Sequence, residues 1–267
     1  MPPEIVTIQF GADGNAAAEA QDFKAMRHPS GIYTYTMHWD DARKRGAVRY
    51  MQGNHSFEIN NVSIVTGLGD KDSPERGVDN WHILFNIAPK KSTSHREARD
   101  RTMALLGQLR AAGWKRYIRT AEPRLSGKEA AIYGLSESGV IYSLDSTYTP
   151  TVDEWIKLIN NDPQWIFYAD GAFVELSISY QDSGVKDQGY YLMDILVNTA
   201  SDKYSVYFSD APEKMKAWQK YLPNALQRGK QERLKKEAGL KAQGFTIDTT
   251  YQDPPFEVTK SSPGTTH

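Results

Sequence analysis

One short segment occurs twice in this chain and limits the folds open to it. Residues 109–114 read Leu-Arg-Ala-Ala-Gly-Trp, and residues 240–245 read Leu-Lys-Ala-Gln-Gly-Phe. In each copy a helical pattern ends at a glycine, where a left-handed backbone carries no Cβ penalty, and an aromatic residue then opens a strand. An acidic residue followed by proline also recurs at the same spacing, as Glu122-Pro123 and Asp253-Pro254. We therefore expect an internal duplication, with Gly113 and Gly244 at positive φ.

The order of predicted elements agrees with a duplication. Residues 30–125 and residues 136–252 each read as strand, helix, hairpin, strand, helix and strand. The sequence thus predicts an α+β fold of two similar lobes, each an antiparallel sheet covered by helices, whose sheets are shared or abut. Residues 1–29 are predicted to form an N-terminal strand and helix, the helix over 16–26. The tail, 253–267, is rich in Ser, Thr, Pro and Gly and is expected to be loose.

Turn and cap signals support particular elements. Asp170-Gly171 between β-rich segments predicts a hairpin, as does Gly53-Asn54 in the first half. Ser94 with Glu97, and Thr151 with Glu154, match the capping pattern at a helix start.

Two further expectations concern the second half. Residues 203–208 are predicted to form an extra strand before the last long helix. Pro223 and Gly229 are expected to kink or break that helix.

Composition excludes several classes of function. The chain has 39% hydrophobic and 11% aromatic residues, which is enough for a folded core. Its 32 basic and 33 acidic residues leave almost no net charge, so we expect no nucleic-acid binding. No apolar segment is long enough to span a membrane. We expect a soluble protein, periplasmic if a signal segment or lipid anchor has been removed and cytoplasmic otherwise.

Motifs for catalysis, metals and cofactors are weak. The absence of cysteine excludes disulfides, thiolate metal sites and cysteine nucleophiles, and it suits an oxidising compartment. Residues 134–139 approach a nucleophile elbow but have Ser138 where the motif needs glycine, so a turn between the lobes is predicted. His38 and His82, with Asp40 nearby, could hold a metal only if their strands were neighbours, and ordinary surface histidines are the preferred interpretation. We predict no catalytic residue, no cofactor and no metal.

Acidic residues gather in two loops at equivalent places in the two halves, residues 67–80 and 181–189. The first loop departs from a calcium-binding loop at Pro74 and lacks the glycine that such a loop requires, so a solvated loop is predicted. Because loops on a rigid scaffold commonly carry function, we predict that both loops bind a partner. The predicted partner-binding residues are Asp70, Asp72, Glu75, Asp79, Asp182 and Asp187.

These observations favour a non-enzymatic binding or inhibitor protein that clasps a macromolecular partner between its lobes. The architecture is similar to that of some bacterial immunity proteins, which neutralise secreted toxin effectors, although no family motif supports the similarity. The expected partner is a protein, a toxin or enzyme encoded nearby. Two alternatives remain open: a hydrolase with an unrecognised site between the lobes, and a carbohydrate or cell-wall binding module.

Overall fold

The computed structural model describes residues 4–40, 44–89, 92–136 and 142–255. The strands are β1 Ile5–Ile8, β2 Lys24–Arg27, β3 Ile32–His38, β4 Gly46–Tyr50, β5 Phe57–Asp70, β6 Val78–Asn86, β7 Thr93–Ser94, β8 Lys115–Arg116, β9 Gln164–Ala169, β10 Ala172–Asp182 and β11 Gln188–Thr199. The helices are α1 Gly11–Ala20, α2 His95–Ala111, α3 Gly127–Ser136, α4 Val152–Ile159, α5 Ala200–Ser205, α6 Pro212–Lys216 and α7 Trp218–Ala242. Short 3-10 turns lie at Pro74–Arg76 and Val206–Phe208.

All eleven strands belong to a single sheet. Its main order is β1-β4-β5-β6-β11-β10-β9-β8, with β2 and β3 alongside the second half of β5 and β7 alongside β11. The two halves of the chain meet where β6 pairs antiparallel with β11, with Ile83 opposite Ile195. The predicted mixed fold with a large sheet is therefore confirmed, and the sheet is shared rather than divided.

One face of this sheet carries the main core. Alternate residues of β6 and β11, such as Trp81, Ile83 and Ile195, are fully buried on that face. Leu106 and Leu109 of α2 and Trp155 of α4 belong to the same cluster. On the opposite face, a smaller cluster forms only at the β8-β9-β10 end, beneath α5 and α7.

The local signals read from the sequence are present in the structure. Ser94 Oγ accepts a hydrogen bond from Glu97 N over 3.1 Å, and Thr151 with Glu154 forms a complete capping box. Asp170 and Gly171, with φ of 42° and 75°, form the turn between β9 and β10. The hairpin of β4 and β5 is also as predicted.

The repeated segment ends both long helices in the same way. Gly113 has a φ of 86° and Gly244 a φ of 93°, as predicted. The N–H of the following aromatic residue donates to the leucine carbonyl five positions earlier, over 3.1 Å at Trp114 and 3.0 Å at Phe245. This is the Schellman arrangement, in which a glycine in the left-handed conformation lets the chain reverse and satisfy the last helical carbonyls.

The predicted strand at 203–208 is wrong. Residues 200–205 form α5 and residues 206–208 a 3-10 turn. The Thr199 side chain accepts from Asp202 N over 3.1 Å, which starts a helix directly after β11. Helical spacing then places Tyr204 and Phe208 on one side, where both are buried.

The predicted break in the last helix is also wrong, because α7 continues through Pro223 and Gly229. Pro223 lies in the second turn and is exposed, so the one carbonyl that loses its donor lies near the start of the helix. Gly229 does not end the helix but allows close packing against it. A Cβ there would lie 3.2 Å from Thr120, so glycine lets the loop after β8 approach the helix.

The N-terminal helix is shifted from its predicted position. α1 spans residues 11–20, and residues 24–27 are the edge strand β2. Gly11 and Gly14 form the first turn of α1. A Cβ on Gly14 would lie 2.1 Å from the Gln9 carbonyl oxygen, so the close approach of β1 and α1 requires glycine.

Candidate partner-binding surface

The second face of the sheet is uncovered over β3, β5, β6 and residues 192–196 of β11. Register places its outward residues in rows: Thr66 lies opposite His82, which lies opposite Leu196, and the next row is Ile64, Leu84 and Asp194. We call these positions the open sheet face: Thr34, Thr36, Ile64, Thr66, Leu68, His82, Leu84, Leu192, Asp194 and Leu196. All are half-buried or exposed.

Five of these ten positions are aliphatic. The solvent-facing side of a sheet usually carries polar residues. Here five aliphatic side chains face solvent instead: Ile64, Leu68, Leu84, Leu192 and Leu196. Leu192 is 41% exposed. At the other end of the same face, Ile166 and Phe173 are covered by α5 and α7 and are fully buried. The open sheet face is thus the uncovered continuation of a surface that the protein covers elsewhere.

A histidine and an aspartate lie close together in the middle of the open sheet face. His82 Nδ1 is 3.8 Å from Asp194 Oδ1, and the two side chains are 43% and 39% exposed. The threonines flank this pair on the β3 side. The face therefore offers aliphatic contact area with a polar centre, the composition that protein interfaces commonly show.

The first acidic loop is shorter than predicted, because β5 and β6 extend into it and leave residues 71–77 as the turn. Asp70 Oδ1 accepts a hydrogen bond from Asp72 N over 2.9 Å, which shapes the turn. Asp72 and Glu75 are exposed.

Asp79 does not belong to the exposed turn. It lies in β6, is 8% exposed and forms an ion pair with Arg76. Burial raises the pKa of its carboxyl to about 6, against the opposing effect of Arg76. The expectation of a solvated side chain at this position is wrong, because β6 begins one residue before it and carries it into the sheet.

The second acidic loop is residues 183–187, between β10 and β11. Asp182 and Asp187 are both exposed, and Asp182 Oδ1 accepts from Gly184 N over 2.9 Å. The carbonyl of Asp187 accepts from His95 N over 3.1 Å, so this turn rests on the start of α2.

The two acidic turns lie at opposite ends of the sheet. β6 and β11 are antiparallel, so the turn that precedes β6 lies beside the end of β11, and the turn that precedes β11 lies beside the end of β6. The twelve residues of β11 separate the two ends, a length on the order of 40 Å. The two acidic turns are therefore separated, and the open sheet face lies between them.

The histidines considered for a metal site are not neighbours. His38 and His82 lie on strands that flank β5 on either side, in different rows of the sheet. Within the residues that the structure describes, no three His, Asp or Glu side chains are grouped as a metal would require. Residues 134–136 of the serine motif form the end of α3, and residues 137–139 lie outside the described residues.

Sequence reasoning missed two polar clusters. In one, Arg233 of α7 is 4% exposed and binds Asp253 through two hydrogen bonds of 3.0 and 2.9 Å. In the other, Lys203 and Glu175 form a buried ion pair of 2.5 Å beside a cleft of 820 Å³, where burial lowers the pKa of the lysine. Both depend on contacts between residues distant in sequence, so no local pattern could reveal them.

Comparison of the chain with known protein families, with functionally characterised proteins and with solved structures finds no match. Function must therefore be argued from the surface itself. Among the described helices, none has the length and apolar composition needed to cross a membrane.

Proposed function

We propose that this protein is a non-enzymatic binding protein that inhibits a macromolecular partner, and that the partner is a toxin effector which it neutralises as an immunity protein. The observation that carries the proposal is the open sheet face, with aliphatic residues at half of its positions. Apolar surface of this kind is a common mark of a protein interaction site.

The surface favours a protein over a carbohydrate partner. Sugar-binding platforms stack their ligands on exposed Trp, Tyr or Phe rings, whereas none of the ten positions of the open sheet face is one of these residues. Leucine and isoleucine beside His82 and Asp194 provide the mixture of apolar and polar contacts that a protein interface commonly has.

The acidic turns fit the same proposal in a revised form. A partner lying along the open sheet face would extend toward Asp70, Asp72 and Glu75 at one end and Asp182 and Asp187 at the other. These carboxylates would attract a basic surface and raise the rate of association, while the aliphatic side chains of the open sheet face would contribute most of the affinity.

We also propose that the two halves arose by duplication. The sheet has a symmetric strand order about the central β6–β11 pairing, with β4, β5 and β6 on one side and β9, β10 and β11 on the other. Both long helices end in the same glycine motif. The two acidic residues that precede proline both pair with α7, Glu122 with Lys236 and Asp253 with Arg233. The proposal requires that the halves superpose in the same connection order, and it would be abandoned if they do not.

The function is tested with purified products of genes adjacent to the one encoding this chain, measuring association rates and affinity. Leu192→Lys on the open sheet face should weaken binding at least roughly tenfold, because it places a charge in an apolar contact. Leu234→Lys is the matched control, since that leucine is 60% exposed on α7, away from the face. Changing Asp70, Asp72 and Glu75 to Lys should slow association and weaken its salt dependence.

A growth assay separates inhibition from mere binding. Co-expression with the candidate toxin should restore growth for the wild type and the Leu234 variant but not for Leu192→Lys. Equal loss of binding in both leucine variants would remove the open sheet face from the mechanism. If the wild type binds none of the candidate toxins but hydrolyses the substrates of those toxins, the hydrolase alternative replaces the proposal.

A further inference from the structure

The edge strand β2 offers an unpaired row of backbone groups. Among the described residues β2 pairs only with β3, and all four of its side chains are exposed. A free edge of this kind is a template for another strand, and recognition by strand addition uses it together with pockets for alternate side chains.

A pocket lies on one face of this edge. It has a volume of 390 Å³ and is lined by residues that include Ala25, Arg27, His28, Tyr33, Tyr35 and Lys71. Register explains its floor, because Ala25 lies opposite Tyr35 and Arg27 opposite Tyr33. The small side chain of Ala25 leaves the space above the rings open. Lys24 projects to the other face and does not line the pocket.

Side chains of α1 fix the two tyrosines, Tyr33 and Tyr35, that form the floor of the pocket. The Tyr35 hydroxyl donates to Glu19 Oε1 over 2.7 Å, and Asn15 Nδ2 donates to the Tyr33 hydroxyl over 3.1 Å. Burial and the Glu19 carboxylate raise the pKa of Tyr35 to about 12. Both rings are therefore fixed by α1, so a ligand finds a pocket whose floor is already ordered.

Lys71 is positioned at the rim by glycine. Gly31 has a φ of 99°, and a Cβ there would lie 2.8 Å from Lys71 Cε, so the lysine stem lies across the glycine. The backbone supports this contact, since Lys71 N donates to the Gly31 carbonyl over 3.0 Å.

The positive charges of Arg27 and Lys71 favour the binding of an anion in this pocket. Arg27, His28 and Lys71 form no side-chain hydrogen bond or ion pair with any other described residue, whereas Glu19 is engaged by Tyr35. Asp70, Asp72 and Glu75 on the neighbouring turn do not line the pocket. A carboxylate entering between Arg27 and Lys71 would gain charge-assisted hydrogen bonds, which are stronger than neutral ones.

We propose that β2 and this pocket bind an extended acidic segment of a protein partner, which adds to the sheet as a strand and inserts one carboxylate between Arg27 and Lys71. The site lies apart from the open sheet face, and its test uses a different probe. Lysine and arginine on an edge strand can also serve only to discourage strand pairing. Discouraging strand pairing would require no pocket, and Arg27 and Lys24 would serve that role equally well.

The probe is a synthetic seven-residue peptide of alternating threonine and valine with glutamate at its centre, titrated into the ¹⁵N-labelled full chain. Saturable amide shifts are expected at residues 24–28, 31–35 and 71, with a dissociation constant of roughly 1 mM or tighter. The same peptide with lysine at its centre should bind roughly tenfold more weakly. Peptides N-methylated at alternate positions should lose binding with a period of two, because a strand uses every second N–H toward its neighbour.

Protein variants complete the test. Arg27→Glu and Ala25→Leu should each weaken binding roughly tenfold, the first by removing the anion's partner and the second by filling the pocket. Lys24→Glu changes the same net charge on the same strand and should change binding by less than about threefold. Equal loss in Lys24→Glu and Arg27→Glu would show general charge attraction and overturn the pocket. The absence of saturable shifts at β2 with the wild type would overturn the whole proposal.

Discussion

His55 and Asp170 join two hairpin turns that come from different halves of the chain. His55 Nε2 lies 3.2 Å from Asp170 Oδ2, and His55 Nδ1 lies 2.7 Å from the carbonyl oxygen of Ala112 at the end of α2. Gln52 adds hydrogen bonds of 3.0 and 3.3 Å to the carbonyls of Ala169 and Asp170. The sheet must therefore curl around the end of α2, so that its two outer hairpins meet.

We predict that His55→Ala lowers the free energy of unfolding by about 1–2 kcal/mol, because it leaves the Ala112 carbonyl without its donor. Urea denaturation would show a lower midpoint with an unchanged slope. Arg49→Ala is the control, since its ion pair with Glu58 is exposed and should contribute less than about 1 kcal/mol. Equal effects of the two variants would mean that the junction does not stabilise the fold.

The two helix-ending glycines should differ in their tolerance of alanine. Both have positive φ, so Gly244→Ala should cost about 1 kcal/mol from backbone strain alone. A Cβ on Gly113 would also lie 2.8 Å from His55 Cε1, whereas nothing lies within 4 Å at Gly244. Gly113→Ala should therefore be the more destabilising of the two in thermal or urea unfolding. In the His55→Ala background this difference should shrink, and an unchanged difference would contradict the assigned contact.

Asp79 should make stability depend on pH. Its folded pKa of about 6 is above the ordinary value near 3.8, so the folded state binds the proton more tightly than the unfolded state does. The wild type should therefore gain stability relative to Asp79→Asn as pH falls from about 7 to about 4, and lose that gain as pH rises through 6. Unfolding free energies of both proteins across this range test the prediction. Asp72→Asn, on the neighbouring turn, controls for the loss of one negative charge. A wild-type curve parallel to that of Asp79→Asn would refute the prediction.

Arg233 should be the main attachment of the segment after α7. Its guanidinium binds the Asp253 carboxylate and also donates to the carbonyls of Ile118, Arg119 and Glu122. Arg233→Leu should cost roughly 3–5 kcal/mol, because it leaves the partly buried Asp253 carboxylate without its guanidinium partner and the Glu122 carbonyl without its donor. Arg233→Lys should not restore stability, since an ammonium cannot reproduce the planar fork.

Lys230→Ala is the matched control for Arg233. Lys230 also faces Asp253, but over 3.9 Å and with 59% of its side chain exposed. It should cost less than about 1 kcal/mol. Proteolysis after residue 244 should be faster in Arg233→Leu than in Lys230→Ala, and similar rates in the two would show that the segment is held by other contacts.

The sequence by itself determined the features that depend on near neighbours. Gly113 and Gly244 end their helices because only glycine enters the left-handed conformation without strain. Asp170 and Gly171 make a hairpin because they tolerate positive φ, and Thr151 with Glu154 starts a helix because their side chains satisfy free N–H groups nearby. In each case the interacting groups lie within about five residues, so the pattern is visible along the chain.

Only the tertiary structure decided how these pieces join. The antiparallel pairing of β6 with β11 places the two acidic turns at opposite ends of one sheet, and it leaves the face with Leu84 and Leu196 uncovered. The same packing buries Asp79 and folds residues 203–208 against Phe173 as helix and 3-10 turn. The physical reason is that strand pairing and side-chain burial depend on residues distant in sequence. Local propensity cannot specify which apolar strand lies beside which.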